Sequence, residues 1–445
     1  MHPTISVIIP VYNGAEYLDR CLAFLGLSLE KPLECIVVDD GSTDGSARIA
    51  ERHGARVLAT EGRCGPARAR NIGAASARGS ILLFIDSDVT VHPDTLSKMA
   101  IEFAADPALD AVMGSYDDDP TAPNFMSQYR NLMHCFVHQR SNRQATTFWA
   151  GCGAIRREVF AEFNGFDEKY RSAAIEDIEL GYRMSAAGRK LALNPSIQVT
   201  HMKRWSLRTM LRADFFHRAL PWSELAIRSG RLPNDLNLRV SQRISVSMVF
   251  ILCALAGFLT LRHGAFFLLP LFVTFFILLS YYWLEMSGRN NRLITALMVG
   301  ALCVIGALSY QHHEKRAFVM VVVSWVALLI RRRISKPMTA WSRISGILTG
   351  GYCMTVILLY WYQMPRNPVG TAFLIGGVLL MALNQQFYFF LAGQKGRLFA
   401  LAAIPFHLLY FISSGIAFLL TIARHRLGRL DGPVALPADE AKTDL

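Results

Sequence analysis

Two aspartates one residue apart, Asp86 and Asp88, follow directly on the apolar run Ile81-Leu82-Leu83-Phe84-Ile85. Carboxylates this close repel each other unless a cation lies between them. Oxygen donors with open positions suit Mg2+ or Mn2+, which complete their shells with substrate phosphates. The pattern points to a divalent metal holding a diphosphate; the competing reading is an acidic, solvated turn. The run has strand length and is apolar on both faces, as in a strand buried in a parallel sheet. Open α/β sheets place ligands at the carboxyl ends of their strands, and both aspartates fall there.

Other segments build the same edge. Ile5 to Pro10 forms a strand ending at the proline, followed by a turn through Tyr12, Asn13 and Gly14. A helical pattern then runs through Leu18, Leu22 and Leu25. Glu34 to Val38 is a second buried strand, closed by Asp39, Asp40 and a Gly41–Gly45 turn. Ser46 to His53 is expected to be a helix, Arg56 to Leu58 a short strand, and Gly65 to Arg78 a helix opened by Gly65-Pro66. Strand and helix in this alternation imply βαβ units and a mostly parallel sheet. Neither GxxxxGK[ST] nor a GxGxxG after the first strand is present, so a Walker loop and a dinucleotide fingerprint are both absent. A nucleotide site made of acids plus a metal remains.

The 445 residues exceed one typical domain, and mean hydropathy is +0.28. The apolar excess is confined to the part beyond about residue 240. The net charge of +12 comes largely from arginines flanking apolar runs, a juxtamembrane bias rather than a nucleic-acid footprint. The start, Met1 to Val7, lacks a basic region and a cleavage site, so no signal peptide is expected. The eight cysteines form no CxxC pair and suit a reduced compartment.

Four segments in order, SVIIPVYNGAEYL, VVDDGSTDGS, ARNIGAASARG and LLFIDSDV, resemble a family 2 glycosyltransferase of GT-A fold. Gly151 to Arg157, Phe163 to Glu168 and Ile175 to Leu180 agree, so the likeness covers about residues 4–205. It implies that Pro10, Tyr12, Asp40 and Asp39 line the nucleotide base and ribose; the two acids are otherwise explained as shaping the turn before Gly41. Arg68 and Arg70 lie two apart on a helix and cannot face one point; Arg70 is the diphosphate candidate, its alternative a solvated helix face. Asp86 and Asp88 match the DxD motif, with Asp88 the direct metal ligand. A rival pair, Asp117 and Asp119, precedes Pro120 and reads as a loop.

Glu176-Asp177 matches the family's acidic pair, which implies Asp177 as general base and Glu176 on the acceptor side. One base without a covalent nucleophile means a single displacement and inversion at the anomeric carbon. A helix N-terminus also favours acids without any catalytic role. His201-Met202-Lys203-Arg204-Trp205 has the spacing of the QxxRW motif of processive synthases, with His in place of Gln, which puts polymerisation in doubt. On that likeness Trp205 stacks on an acceptor sugar and Arg204 holds a phosphate, while His201 is a candidate third metal ligand. A basic amphipathic segment on the membrane surface, continuing through residues 206–240, explains the same residues.

The expected organisation is a GT-A domain over 1–205, an interfacial segment over 206–240, transmembrane helices over 241–424 and a polar tail over 425–445. A span takes about 20 apolar residues. Candidates are Ser245–Leu261, Ala265–Leu284, Leu293–Tyr310, Ala317–Ile330, Ile344–Tyr362, Thr371–Leu391 and Leu398–Ile422. Seven spans set Arg424-His425-Arg426 outside, against the positive-inside rule, so six spans plus a re-entrant segment stand beside seven. Together these features lead to a metal-dependent inverting transferase on the inner face of a cell membrane. Its donor would be a nucleotide-sugar and its acceptor a lipid or lipid-linked molecule, with no nucleic acid. A processive polysaccharide synthase and a transporter or scaffold with a degenerate transferase domain are the alternatives.

Overall fold

The computed structural model describes residues 3–263 and 368–428. The chain forms two compact units, one of residues up to Arg243 together with the segment from Ile412 onward, and one of Ile244–Phe411. The first holds an eight-stranded mixed sheet. Its strands are β1 (Ile5–Val11), β2 (Glu34–Asp39), β3 (Arg56–Ala59), β4 (Ile81–Ile85), β5 (Val89–Val91), β6 (Ala111–Tyr116), β7 (Cys152–Arg156) and β8 (Leu191–His201), in the order β3-β2-β1-β4-β7-β6-β8-β5. The helices are α1 (Ala15–Gly26), α2 (Ser46–Arg52), α3 (Pro66–Ser76), α4 (Thr95–Ala105), α5 (Phe125–Gln139), α6 (Arg157–Glu162) and α7 (Glu176–Ala186).

From β3 to β4 the sheet is parallel, as the βαβ rhythm requires. Beyond β4 it is mixed: β7 runs antiparallel to β4 and β6, and β5 antiparallel to β8. Reversal of β7 brings the start of that strand, Gly151-Cys152, to the carboxyl end of β4. All five residues of β4 are buried, the pattern of a central strand covered on both faces. Beneath it Phe84 packs against Phe160 and Phe166 with ring centroids 5.2 and 5.1 Å apart. Fully burying such a side chain contributes about 1.5–3 kcal/mol.

Strand β1 runs one residue beyond Pro10, to Val11. Pairing with β4 stops at Ile8, so the missing N–H of Pro10 leaves no ladder bond unmade.

Helix α7 lies unusually close to the chain entering β7. A Cβ on Gly181 would stand 2.1 Å from the Phe148 nitrogen and 2.4 Å from the Thr147 carbonyl carbon. Neither backbone atom can rotate aside. Gly181→Ala is therefore expected to cost about 1–3 kcal/mol or more in stability, read as a lowered melting midpoint, with activity falling because α7 carries Asp177. A variant melting like the native protein would contradict this close approach.

Past β8 come α8 (Leu207–Arg212), a π-helical turn (Ala213–Ala219) and α9 (Leu220–Ser229). They run on without a break from Leu207 to Ser229, the π-helical turn lying inside the helix. Met210, Leu220 and Trp222 are buried, and Trp222 packs with Ile175 and Tyr182. The 206–240 segment thus belongs to the first unit, while Leu207, Phe216 and Leu232 stay exposed.

Among the described residues, three helices are long and apolar enough to cross a membrane: α10 (Val240–His263), α11 (Pro368–Lys395) and α12 (Arg397–Arg426). The shortest has 24 residues, about 36 Å at 1.5 Å per residue, against an apolar bilayer core of about 30 Å. They contain the expected runs Ser245–Leu261, Thr371–Leu391 and Leu398–Ile422. The four expected runs between Ala265 and Tyr362 lie outside the described residues. In the second unit Asn384 donates to Ser245 Oγ at 2.9 Å, a polar clasp of the kind that joins apolar helices.

Candidate active site

One sheet edge gathers the chemistry. Strands β1, β2, β4 and β6 end there, β7 begins there, and β8, parallel to β6, ends there. Register then chooses neighbours. The pairing Val89↔His201 between β5 and β8 sets His201 beside Asp88, and Met202 N–H donates to the Asp88 carbonyl at 2.8 Å. His201 Nε2 lies 3.5 Å from Asp88 Oδ2, with Lys203 Nζ at 3.8 Å. Burial by itself would raise the Asp88 pKa. The positive charges of His201 and Lys203 outweigh it and hold the carboxyl well below the usual range.

Asp86 turns the other way. Its Oδ1 accepts from Arg70 Nη2 at 2.7 Å, and Arg70 Nη1 donates to Glu176 Oε1 at 2.8 Å. One buried guanidinium thereby ties the end of β4 to the start of α7. Arg70 is thus held between two carboxylates rather than presented to a diphosphate, and Asp86 Oδ1 faces Arg70 while Asp88 faces His201. Glu176 is buried, its other oxygen accepting from Ala174 N–H at 2.9 Å, so it does not reach an acceptor. Breaking a buried pair by removing one partner typically costs about 3–5 kcal/mol. Arg70→Met is expected to lose about that much, seen in the denaturant midpoint of the solubilised protein; a merely phosphate-binding arginine would leave the midpoint unmoved.

Asp177 stands in the first turn of α7 and is only partly covered. Its Oδ2 accepts from Ala150 N–H at 2.9 Å and its Oδ1 from Ile178 N–H at 2.8 Å. Asp86 N–H donates to the Gly151 carbonyl at 3.3 Å, so Asp177 is anchored to the residue next to Asp86's backbone partner. Burial first, and the Glu176 charge second, push its pKa up to about 7; the Ala150 N–H and Arg70 pull the other way. It forms no ion pair among the described residues.

The nucleotide-side residues are placed unevenly. Asp40 is buried, and its carboxylate accepts from Thr60 Oγ1 at 2.9 Å and from Cys64 and Gly65 N–H, both at 2.8 Å. That carboxylate fixes the loop opening α3 and is not offered to a base. Gly65 has φ +98, and a Cβ there would lie 2.4 Å from the Arg171 carbonyl oxygen. Asp39 Oδ1 accepts from Ser42 N–H at 2.8 Å, the turn-shaping role. Pro10 is buried in β1 and lines no open surface. Tyr12 is exposed, with the Arg63 guanidinium 4.2 Å above its ring.

On the other side Trp205 is buried and cannot stack on an acceptor; its backbone N–H donates to Ser127 Oγ and its carbonyl accepts from Asn124 Nδ2. Arg204 is exposed. Asp117 lies in a loop, where it accepts from Asp119 N–H and contacts His92 and Thr200. Sequence reasoning missed Tyr116, which stacks on His201 with centroids 4.5 Å apart. It ends β6 at the same edge as Tyr12 ends β1, a positional signal open to strand counting.

Asp88 and His201 fit a divalent cation. His201 Nδ1 faces Asn131 Oδ1 at 2.7 Å. A cation taking the place of the Nε2 proton would leave Nδ1–H on Asn131 and turn the Nε2 lone pair to an ion beside the Asp88 carboxylate. No third His, Cys, Asp or Glu joins them among the described residues, which leaves open positions.

The model of Glycosyl transferase family 2 matches residues 6–163. Glycosyltransferase GlyG of Streptococcus pneumoniae is 32% identical over 180 residues, 36% of this chain and 60% of GlyG. The pre-mycofactocin glycosyltransferase of Mycobacterium tuberculosis is 30% identical over 225 residues, 48% of this chain and 46% of that protein. The chain thus spans about half to three fifths of these relatives. Among solved structures, the mannosyltransferase PcManGT from Pyrobaculum calidifontis, in complex with GDP-Man and Mn2+, shows 19% identity at a TM-score of 0.44, covering 74% of this chain and 88% of PcManGT. The matched segment holds β1 to β4, Asp86, Asp88 and Ala150, whose N–H anchors Asp177: over residues 6–163 the chain is similar to family 2 glycosyltransferases, on a mixed sheet with flanking helices.

Proposed function

We propose that the protein is a metal-dependent inverting glycosyltransferase. It moves a sugar from a nucleotide-diphosphate donor to a lipid-linked acceptor, embedded by several spans with its transferase domain at the cytoplasmic face. The observation that carries this reading is Asp177: a carboxylate at the sheet edge, free of ion pairs among the described residues, with its pKa at about 7. A general base works best with a pKa near the operating pH.

The chain's residues divide the work. Tyr12, capped by Arg63, offers a flat surface on which a nucleobase stacks. Asp40 holds the loop beneath that surface rigid. A Mg2+ or Mn2+ ion held by Asp88 and His201 would supply positive charge to the departing diphosphate. Asp177 takes the proton from the acceptor hydroxyl as that oxygen attacks. Asp86 and Glu176 are bound by Arg70 and supply no covalent nucleophile. A single displacement, and so inversion, follows. The lipid nature of the acceptor is supported by the three membrane-length helices among the described residues.

Membranes carrying the protein are incubated with a panel of labelled nucleotide-sugars and extracted into organic solvent. One sugar per lipid is the expected product. A long polymer would favour a processive synthase, a reading that the burial of Trp205 weakens. Label that never enters lipid with any donor would refute the acceptor assignment.

A further inference from the structure

A second cation reaches the site from the segment after β8. Helix α8 enters α9 through the π-helical turn Ala213–Ala219. Such bulges re-aim side chains and occur often at functional sites. Asp214 and Arg218 both lie on it. Asp214 is ion-paired with Arg130 of α5, which neutralises that arginine. Arg218 is half-buried, and no carboxylate pairs with it among the described residues. Its hydrogen bond there runs from Nη1 to His134 Nε2, at 2.6 Å. An imidazole nitrogen facing a guanidinium must be the acceptor. Burial and the Arg218 charge accordingly push His134 well below its usual pKa, which keeps the ring neutral.

The contacts continue to the reacting centre. The His134 ring lies 5.9 Å from Tyr116, and Tyr116 stacks on His201 at 4.5 Å. Arg218 thus stands at one end of an aromatic shelf whose other end faces Asp88. Its charge also acts on Asp177. Asp214, the strongest opposite charge acting on it, is committed to Arg130, so the guanidinium is drawn out of water only partly neutralised, which is costly. Its fork of donors matches the oxygens of a phosphate.

We propose that Arg218 binds a phosphate group of a reacting substrate, on the far side of Tyr116 from the Asp88–His201 pair. The inference rests on the transferase reading above. Two sources share this chemistry: the diphosphate of the donor and a phosphate carried by the acceptor lipid. Full-length protein in detergent is titrated with UDP and GDP in MnCl2, and separately with dodecyl phosphate against dodecanol.

Arg218→Met is expected to weaken one phosphate probe by about tenfold or more, with Arg218→Lys intermediate because it keeps the charge but not the fork. Loss confined to UDP or GDP assigns the donor; loss confined to dodecyl phosphate, with dodecanol unaffected, assigns the acceptor. Both variants binding every probe like the native protein would overturn the proposal and leave the transferase reading standing. Native protein that binds no phosphate probe at all would overturn both. Should the methionine variant not fold, the lysine variant decides: undiminished affinity for all probes rejects the role.

Discussion

Asp177→Asn is expected to lower kcat by about 10²- to 10⁴-fold, the range that a positioned general base contributes, while nucleotide affinity stays within about twofold of native. The amide keeps the shape of the carboxylate but cannot take the acceptor's proton. The pH profile gives a sharper check. Because Asp177 must be ionised to act, kcat/KM in the native enzyme rises with pH and levels off above about 7, where burial and Glu176 have placed its pKa. Activity is lost as pH falls below that value, and the variant's residual rate should lack this limb. The same raised pKa favours the folded state below the unfolded value near 4, a contribution that disappears as pH climbs through 7. The site is therefore least stable where its base is ready to work. Native turnover in Asp177→Asn would remove Asp177 from the mechanism.

Asp88→Asn is expected to have an effect of similar size through a different step. A metal at a leaving diphosphate supplies several kcal/mol of charge stabilisation, so losing its carboxylate ligand lowers the rate by about 10³-fold or more. Diphosphate affinity falls with it, unlike in the Asp177 variant. Chelation of the native enzyme should reproduce the loss, and chelation of Asp88→Asn should add little. Since His201 and Lys203 keep Asp88 ionised far below neutrality, the acid limb of the native profile does not come from Asp88. Equal binding and equal rate with all divalent ions stripped away would dismiss the metal.

The local sequence settles the edge of the parallel half. An apolar run such as Ile81–Ile85 must be buried on both faces, and a run closed by Asp-Ser-Asp or Asp-Asp-Gly-Ser must put its acids where the strand stops. Periodicity and turn chemistry act over a few residues, so β1 to β4, α1 to α3 and the site's edge were all readable. The likeness around Glu176-Asp177 pointed to Asp177, and the fold sets that residue at the same edge.

The counter-charge each acid meets was beyond local reading, because it depends on groups brought within about 3 Å from far along the chain. Arg70 bridges Asp86 to Glu176 because α3 and α7 approach the same strand end. His201 reaches Asp88 through the β5–β8 register, which no pattern in either strand announces. Trp205 and Trp222 have the composition of a membrane-surface helix, yet they are buried against α5 and α7, since an amphipathic face accepts protein as readily as lipid. Residue types thus determined which chemistry was on hand; folding assigned each charge its partner, and with it whether a carboxylate holds a loop, faces a metal or stays free to take a proton.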